Sequence, residues 1–182
     1  EPYNESGVTV EAAFAVKKTG YIFKRLIIYV HIIFCAIKAD CVFIDLCRLL
    51  GVKDPISDDP KGEFFAFEKG ASKTSGGEGW ADVWRKNCFA WEYKGKAKDL
   101  DKAFAQLQQY AIALENPPLL IVSDMDRIRI HTNWTNTVQQ VHHITLEDLL
   151  DASKRDLLRA CFNDPDKLRP AKTRQLLTEE AA

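Results

Sequence analysis

The chain is poor in the features that usually announce an activity. Its 182 residues carry 25 Lys and Arg against 26 Asp and Glu, a formal net charge of -1. That balance excludes a global basic field that would gather nucleic acid at long range. Cysteines are few and odd in number: Cys35, Cys41, Cys47, Cys88 and Cys161, with no Cys-x-x-Cys pair. Such a set suits neither a disulfide framework nor a zinc site, and it fits a reducing cytosol, so a cytoplasmic location is expected. His142 and His143 adjoin, but no cysteine or third histidine stands at ligand spacing, so they read as a polar approach to a helix. The glycine-rich stretch Lys69 to Gly79 does not end in Gly-Lys-Ser/Thr, which excludes a Walker-type phosphate loop. The apolar run Leu26–Ile37 is short for a membrane span, and Lys38 and Asp40 follow at once. It reads as a buried strand or helix, and no membrane partner is expected.

What is present is an ordinary globular composition, 46% hydrophobic and 28% charged. At this length one domain with a real core is the default. The coarse order of elements is legible. Phe43–Leu50 has helical spacing and stops at Gly51. Asp54–Gly62 is a Pro/Asp loop, and Glu63–Glu68 alternates like a strand. Trp80–Trp84 and Cys88–Tyr93 are rich in strand formers around the polar turn Arg85-Lys86-Asn87. Asp99 caps a helix to Asn116, with Leu100, Ala103, Phe104, Leu107, Tyr110, Ala111 and Leu114 on one apolar stripe. Leu119–Ser123 and Arg127–Thr132 read as strands. Thr145–Asp148 resembles a capping box that opens a helix to about Phe162. A further helix is expected from Thr173. This order predicts an α/β fold, a mixed central sheet flanked by helices.

Within it, Asp82, nine intervening residues, then Glu92-x-Lys94 stand out. Side chains alternate along a strand, so Glu92 and Lys94 share one face while Phe89, Trp91 and Tyr93 take the other. A turn near Asn87 brings Asp82 opposite Glu92. Two carboxylates and an ammonium so placed suit a Mg²⁺ site for cutting phosphodiester bonds. Lysine beside the metal would orient the attacking water and offset phosphate charge. The same three residues also suit a plain surface hairpin with a Glu/Lys pair. Around them the chain is locally basic, with Lys69, Lys73, Arg85, Lys86, Lys96, Lys98 and Lys102 nearby.

On the following helix Gln106 and Tyr110 are four residues apart and therefore neighbours. Asp…Glu-x-Lys followed by Gln-x-x-x-Tyr resembles the RecB-like branch of the PD-(D/E)XK nuclease superfamily. The strings Phe67–Thr74, Gly76–Trp84, Phe89–Lys96, Leu114–Leu120 and Asp126–Asn133 resemble the amino-terminal nuclease part of MmeI-like (type IIL) restriction–modification enzymes. The likeness runs from about Phe43 to the end.

The resemblance implies a PD-(D/E)XK fold and an endonuclease of double-stranded DNA. Asp82, Glu92 and the Tyr93 carbonyl would bind Mg²⁺, for which Mn²⁺ could substitute. Lys94 would orient water, Gln106 would support the site or touch the DNA backbone, and Tyr110 would pack against it. Lys69, Lys73, Lys96 and Lys98 would hold phosphates without reading bases. A further acidic ligand could come from Asp45 or Glu63. In the family the polypeptide continues into a helical connector, an S-adenosylmethionine-dependent adenine methyltransferase and a target-recognition domain. The expected division is 1–40 unassigned, 41–162 nuclease and 163–182 the start of the connector, with the other domains supplied in cis or by a separate chain. Two other classes remain open. One is a catalytically silent module that binds DNA or a partner. The other is a methyltransferase fragment, suggested by Asn116-Pro117-Pro118. That tripeptide lacks the following aromatic and reads better as a helix stop.

Overall fold

The computed structural model describes residues 39–72, 78–95, 98–124, 126–171 and 173. Leu26–Ile37, Lys73, Lys96 and nearly all of the helix expected from Thr173 lie outside them. The chain divides between Val42 and Phe43 into two units. The sheet belongs to the second.

Helix α1 (Ala39–Leu50) ends where Gly51 adopts φ +68°, a conformation open to glycine. Asp54 then caps a short helix α2 (Pro55–Asp58) where a loop was expected, because its carboxylate accepts the Ile56 and Ser57 N–H groups and Ser57 answers it. Six strands follow: β1 (Phe65–Ser72), β2 (Glu78–Arg85), β3 (Phe89–Tyr93), β4 (Leu119–Ser123), β5 (Arg127–Thr132) and β6 (Val141–Thr145). They form one sheet in sequence order. Every neighbouring pair is antiparallel except β3–β4, which is parallel. A parallel pair needs a crossover, and helix α3 (Leu100–Tyr110) supplies it.

Both faces of the sheet are covered, so β4 reads as an unbroken apolar run, Leu119 to Val122, all buried. On one face Phe65, Val83, Phe89, Trp91, Leu119, Ile121, Ile130 and Ile144 pack with Phe43, Cys47 and Leu50 of α1 and with helix α4 (Ala152–Asn163). Phe43 lies within 5.4–6.4 Å of six aromatic rings there, mostly edge to face. On the other face Trp84, Ala90, Leu120 and Val122 pack under α3.

Three further expectations need correction. The crossover helix stops at Tyr110 rather than Asn116. Glu115 and Asn116 take φ of 62° and 52°, and the Asn116 N–H turns back to the Ala111 carbonyl. His142 and His143 lie in strand β6, not on the way into a helix. The Thr145/Asp148 capping box forms reciprocally, but it opens a 3₁₀ turn (Glu147–Leu150); helix α4 then starts afresh from an Asp151 cap.

Candidate active site

The β2–β3 hairpin turns through Asn87 at φ 60°, a region asparagine tolerates. Its ladder pairs Arg85 with Phe89 and Val83 with Trp91. Continued one rung, this register sets Asp82 opposite Glu92. The ladder stops there instead. Asp82 Oδ2 accepts the Tyr93 N–H in place of a backbone carbonyl, and the next amide, Lys94, donates to Ser123 O of β4 at 2.8 Å. The strands part at the rung where the two acids meet.

The same rung is rotated in β1 and β2. Ala81 and Trp84 both pack on the α3 face, although regular alternation puts residues three apart on opposite faces. In β1, Phe67 packs on the α1/α4 face, whereas the Lys69 ammonium lies 4.5 Å from the Trp84 ring centre. Glu68 between them has φ 50°, unusual for a residue with a side chain. Asp82 thus sits where both strands change face.

Glu92 is almost fully buried, 4% exposed, on the α3 side. Its Oε1 accepts from Lys94 Nζ at 2.6 Å and, weakly, from Gln106 Nε2 at 3.4 Å. Gln106 Oε1 also accepts from Lys94 Nζ at 3.3 Å, and its Nε2 donates to Tyr110 Oη at 3.0 Å. Glu92 Oε2 is buried and has no hydrogen-bond partner. Burial pushes the Glu92 carboxyl above the usual range, Lys94 opposes this, and nearby Asp82 adds to it. Tyr110 reaches Gln106 because Gly79 leaves it room: a Cβ there would sit 2.5 Å from the tyrosine ring.

Glu92, Lys94, Gln106 and Tyr110 therefore form one hydrogen-bonded group, and Asp82, which holds the Tyr93 amide, stands near Glu92. Of the lysines expected at phosphates, Lys69 lies in a strand with its charge over Trp84, not in a loop. Lys98 is exposed in the segment before α3, where its carbonyl accepts from Arg127 at 3.5 Å. Asp45 pairs with Arg48 at 2.9 Å, and Glu63 is exposed ahead of β1. Among the described residues no third Asp, Glu, His or Cys completes a metal cluster with the pair. The set still fits Mg²⁺, which takes one or two carboxylates and keeps its waters or substrate phosphates. The buried, unpartnered Glu92 oxygen is the observation that such an ion would account for.

Sequence reasoning missed two buried polar groups. Asp124, its side chain 1% exposed, accepts from Arg127 at 2.6 and 3.2 Å and from the Asp126 and Arg127 amides. Burial alone would raise its carboxyl, but these donors hold it below the usual range. This clip fastens the loop that follows Ser123, the residue carrying the Lys94 amide. His131 is buried, stacks on Phe104 of α3 at 3.7 Å, and has no partner on either ring nitrogen. A polar cavity of about 300 Å³ lies by the hairpin turn, between Asn87, Asn116 and Asn133, at the other end of β3 from Lys94.

The model of one family, described as MmeI, N-terminal domain, matches residues 37–182. The chain belongs to that family. This N-terminal domain has no significant match among curated proteins. Among solved structures it resembles a chain titled "cryoEM structure DrdV-DNA complex", with a TM-score of 0.47 and 14% identity. That alignment covers 86% of the domain's chain but 14% of the other, so the domain spans a small part of that relative's length.

Proposed function

We propose that this MmeI-type domain is a Mg²⁺-dependent endonuclease of double-stranded DNA, the cutting part of a restriction–modification system. The observation that carries the reading is the buried Glu92 oxygen without a partner, beside Asp82 and with Lys94 on its sister oxygen. Asp82, Glu92 and the Tyr93 carbonyl would hold the ion, for which Mn²⁺ could substitute. Bound Mg²⁺ would neutralise charge on the pentavalent phosphate and acidify its water. Lys94 orients the attacking water and offers its positive charge to the phosphate oxygens. Gln106 holds Lys94 from the side, and the Tyr110 hydroxyl fixes the Gln106 amide. Water adds to phosphorus and gives up a proton to solvent, and the phosphorus–oxygen bond to the departing sugar breaks as that oxygen takes a proton from solvent. Exposed Lys98, with Lys73 and Lys96, would contact phosphates. A methyltransferase and a target-recognition domain, in cis or on a separate chain, would supply protection and sequence choice.

The test compares plasmid cleavage by the full-length protein with that of its Lys94→Ala form. A loss of at least about a hundredfold is expected, the scale of removing one donor from a transition state. Equal cutting by both proteins would sink the assignment. Titration with Mn²⁺ separates the other reading, a silent binding module: such a module would show no affinity that Asp82→Ala and Glu92→Ala remove.

A further inference from the structure

Arg127 stands on the same face of the sheet as Glu92 and Lys94. Ile128 and Ile130 pack on the α1/α4 side, so by alternation Arg127, Arg129 and His131 face α3. Three contacts agree. Arg127 Nη2 donates to the Lys98 carbonyl just ahead of α3, Arg129 pairs with Asp101 of its first turn, and His131 stacks on Phe104. The frame between Lys94 and Arg127 is made of backbone. Ser123 O of β4 holds the Lys94 amide, and the Asp124 amide donates to Arg127 O of β5 at 3.0 Å. Arg127 therefore lies two strand spacings from Lys94, about 10 Å along one row. Its head is fixed as well. Asp124 Oδ1 accepts the two turn amides, which leaves Oδ2 to take both Nε and Nη2 of Arg127. Nη1 has no hydrogen-bond partner among the described residues. The carboxylate lies behind the guanidinium, since the Asp124 side chain is 1% exposed and that of Arg127 44%.

From this placement we propose that Arg127 binds a backbone phosphate of the duplex beside the one being cut, through the open edge of its guanidinium. The inference rests on the nuclease reading. An arriving anion meets the exposed guanidinium and not the acid behind it. A planar fork with one edge held by a carboxylate offers its other edge to phosphate oxygens with its rotamer already set. Exposed Lys98 adjoins it. Of the other acids near it, Asp101 is taken up by Arg129 at 2.7 Å, and Asp126 is exposed to screening by solvent and salt. The DNA strand is thus gripped at two points of fixed separation, one phosphate at Lys94 and a neighbour at Arg127. Such contacts set register and orientation without reading bases.

The experiment uses the full-length protein. Arg127→Ala would leave the Asp124 charge buried and unpaired, which is costly in itself. The variant tested is therefore Asp124→Asn with Arg127→Gln, in which the asparagine oxygen can still accept the turn amides. Binding to a labelled mixed-sequence DNA duplex is measured with Ca²⁺ in place of Mg²⁺ across a salt series, and plasmid cleavage is measured with Mg²⁺. Binding should weaken about tenfold, the scale of one charge-assisted hydrogen bond. The slope of log affinity against log salt should shrink by about 0.9, the worth of one phosphate contact. KM should rise by the factor seen in binding while kcat stays within about twofold. Asp124→Asn alone keeps the cation and should keep the wild-type slope. Wild-type affinity and slope in the double variant would overturn the inference. So would weaker binding at an unchanged slope, the mark of a purely structural clip, and so would an equal loss of slope in Asp124→Asn. If the double variant does not fold, Arg127→Lys decides: several-fold weaker binding at the wild-type slope is expected, and wild-type affinity would overturn the inference. Lys94→Ala keeps the two readings apart. If it is inactive while the double variant binds and cuts as wild type, the nuclease reading stands and this inference falls. If Lys94→Ala cuts normally, both fall.

Discussion

Glu92 is held in a form that costs the fold something. Its carboxyl is raised by burial and by Asp82, so the folded chain holds that proton more tightly than the unfolded chain does. Its contribution to stability is therefore fullest below the unfolded carboxylate pKa and is lost as pH rises through the folded value. As pH rises, the buried carboxylate becomes a liability that Lys94 offsets only in part. Glu92→Gln should accordingly stabilise the metal-free domain at pH 7, by an amount on the order of 1 kcal/mol read through a higher urea midpoint, with a smaller gain at pH 4. It should abolish Mg²⁺-dependent cutting at the same time. Urea titrations at the two pH values check the first half; an unchanged or lower midpoint at pH 7 would count against it. At this scale the sequence was informative where neighbours are local. Asp82 and Glu92 meet through one hairpin, and Gln106 meets Tyr110 across one helical turn, so spacing reveals both. The Asp124–Arg127 clip and His131 were not legible. His131 is buried because Phe104 of α3 lies over it, and no spacing encodes that.

Among the elements, central strands and the crossover helix could be read because their patterns are strong. Leu119–Ser123 and Arg127–Thr132 have the bounds expected of them. Strand β6 could not be read. It is an edge strand in which Ile144 alone is buried, so the alternation that marks a strand is nearly absent. The helix signal at Thr145–Asp148 was real, yet it is satisfied by a 3₁₀ turn. The end of α3 was overestimated because Ala111 and Leu114 stay buried beyond the last helical turn. That helix also makes a demand on β2, since Tyr110 comes so near Gly79. Gly79→Ala should destabilise the domain by about 1–3 kcal/mol through overpacking. It should lower kcat as well, because a displaced Tyr110 releases Gln106 from Lys94. Full activity with a normal melting temperature would show that the close approach carries no such constraint.

For the molecule as a whole, the fold class followed from the order of elements, since one parallel pair within an antiparallel sheet requires the crossover that α3 makes. Contacts distant in sequence then close the structure. Arg159 of α4 donates to the Leu50 carbonyl at the end of α1, 109 residues away, and buried Asp59 accepts the Phe64 and Phe65 amides that start β1. Global stability should also be acid-sensitive. Burial, with Arg129 and His143 adding to it and Asp101 opposing, lowers the His131 pKa to about 4 from an ordinary 6.5. The unfolded chain takes up that proton first. The stabilisation is thus complete above pH 6.5 and is lost as pH falls toward 4, roughly 3 kcal/mol at most. His131→Phe should flatten the urea midpoint between pH 7 and pH 5. His142, lowered by burial, Lys154 and His143, should leave a residual slope. An undiminished slope in His131→Phe would place the acid sensitivity elsewhere.

The lone parallel pair also sets an order of events in time. Asp82 and Glu92 are brought together by a hairpin, the kind of contact that forms in about 1–10 μs. Gln106 and Tyr110 reach them after the chain has travelled through α3 and β4 has docked beside β3, a slower, non-local step. During folding the acids therefore become neighbours before their lysine is held in place. The site is therefore completed when the crossover closes, not when the hairpin forms.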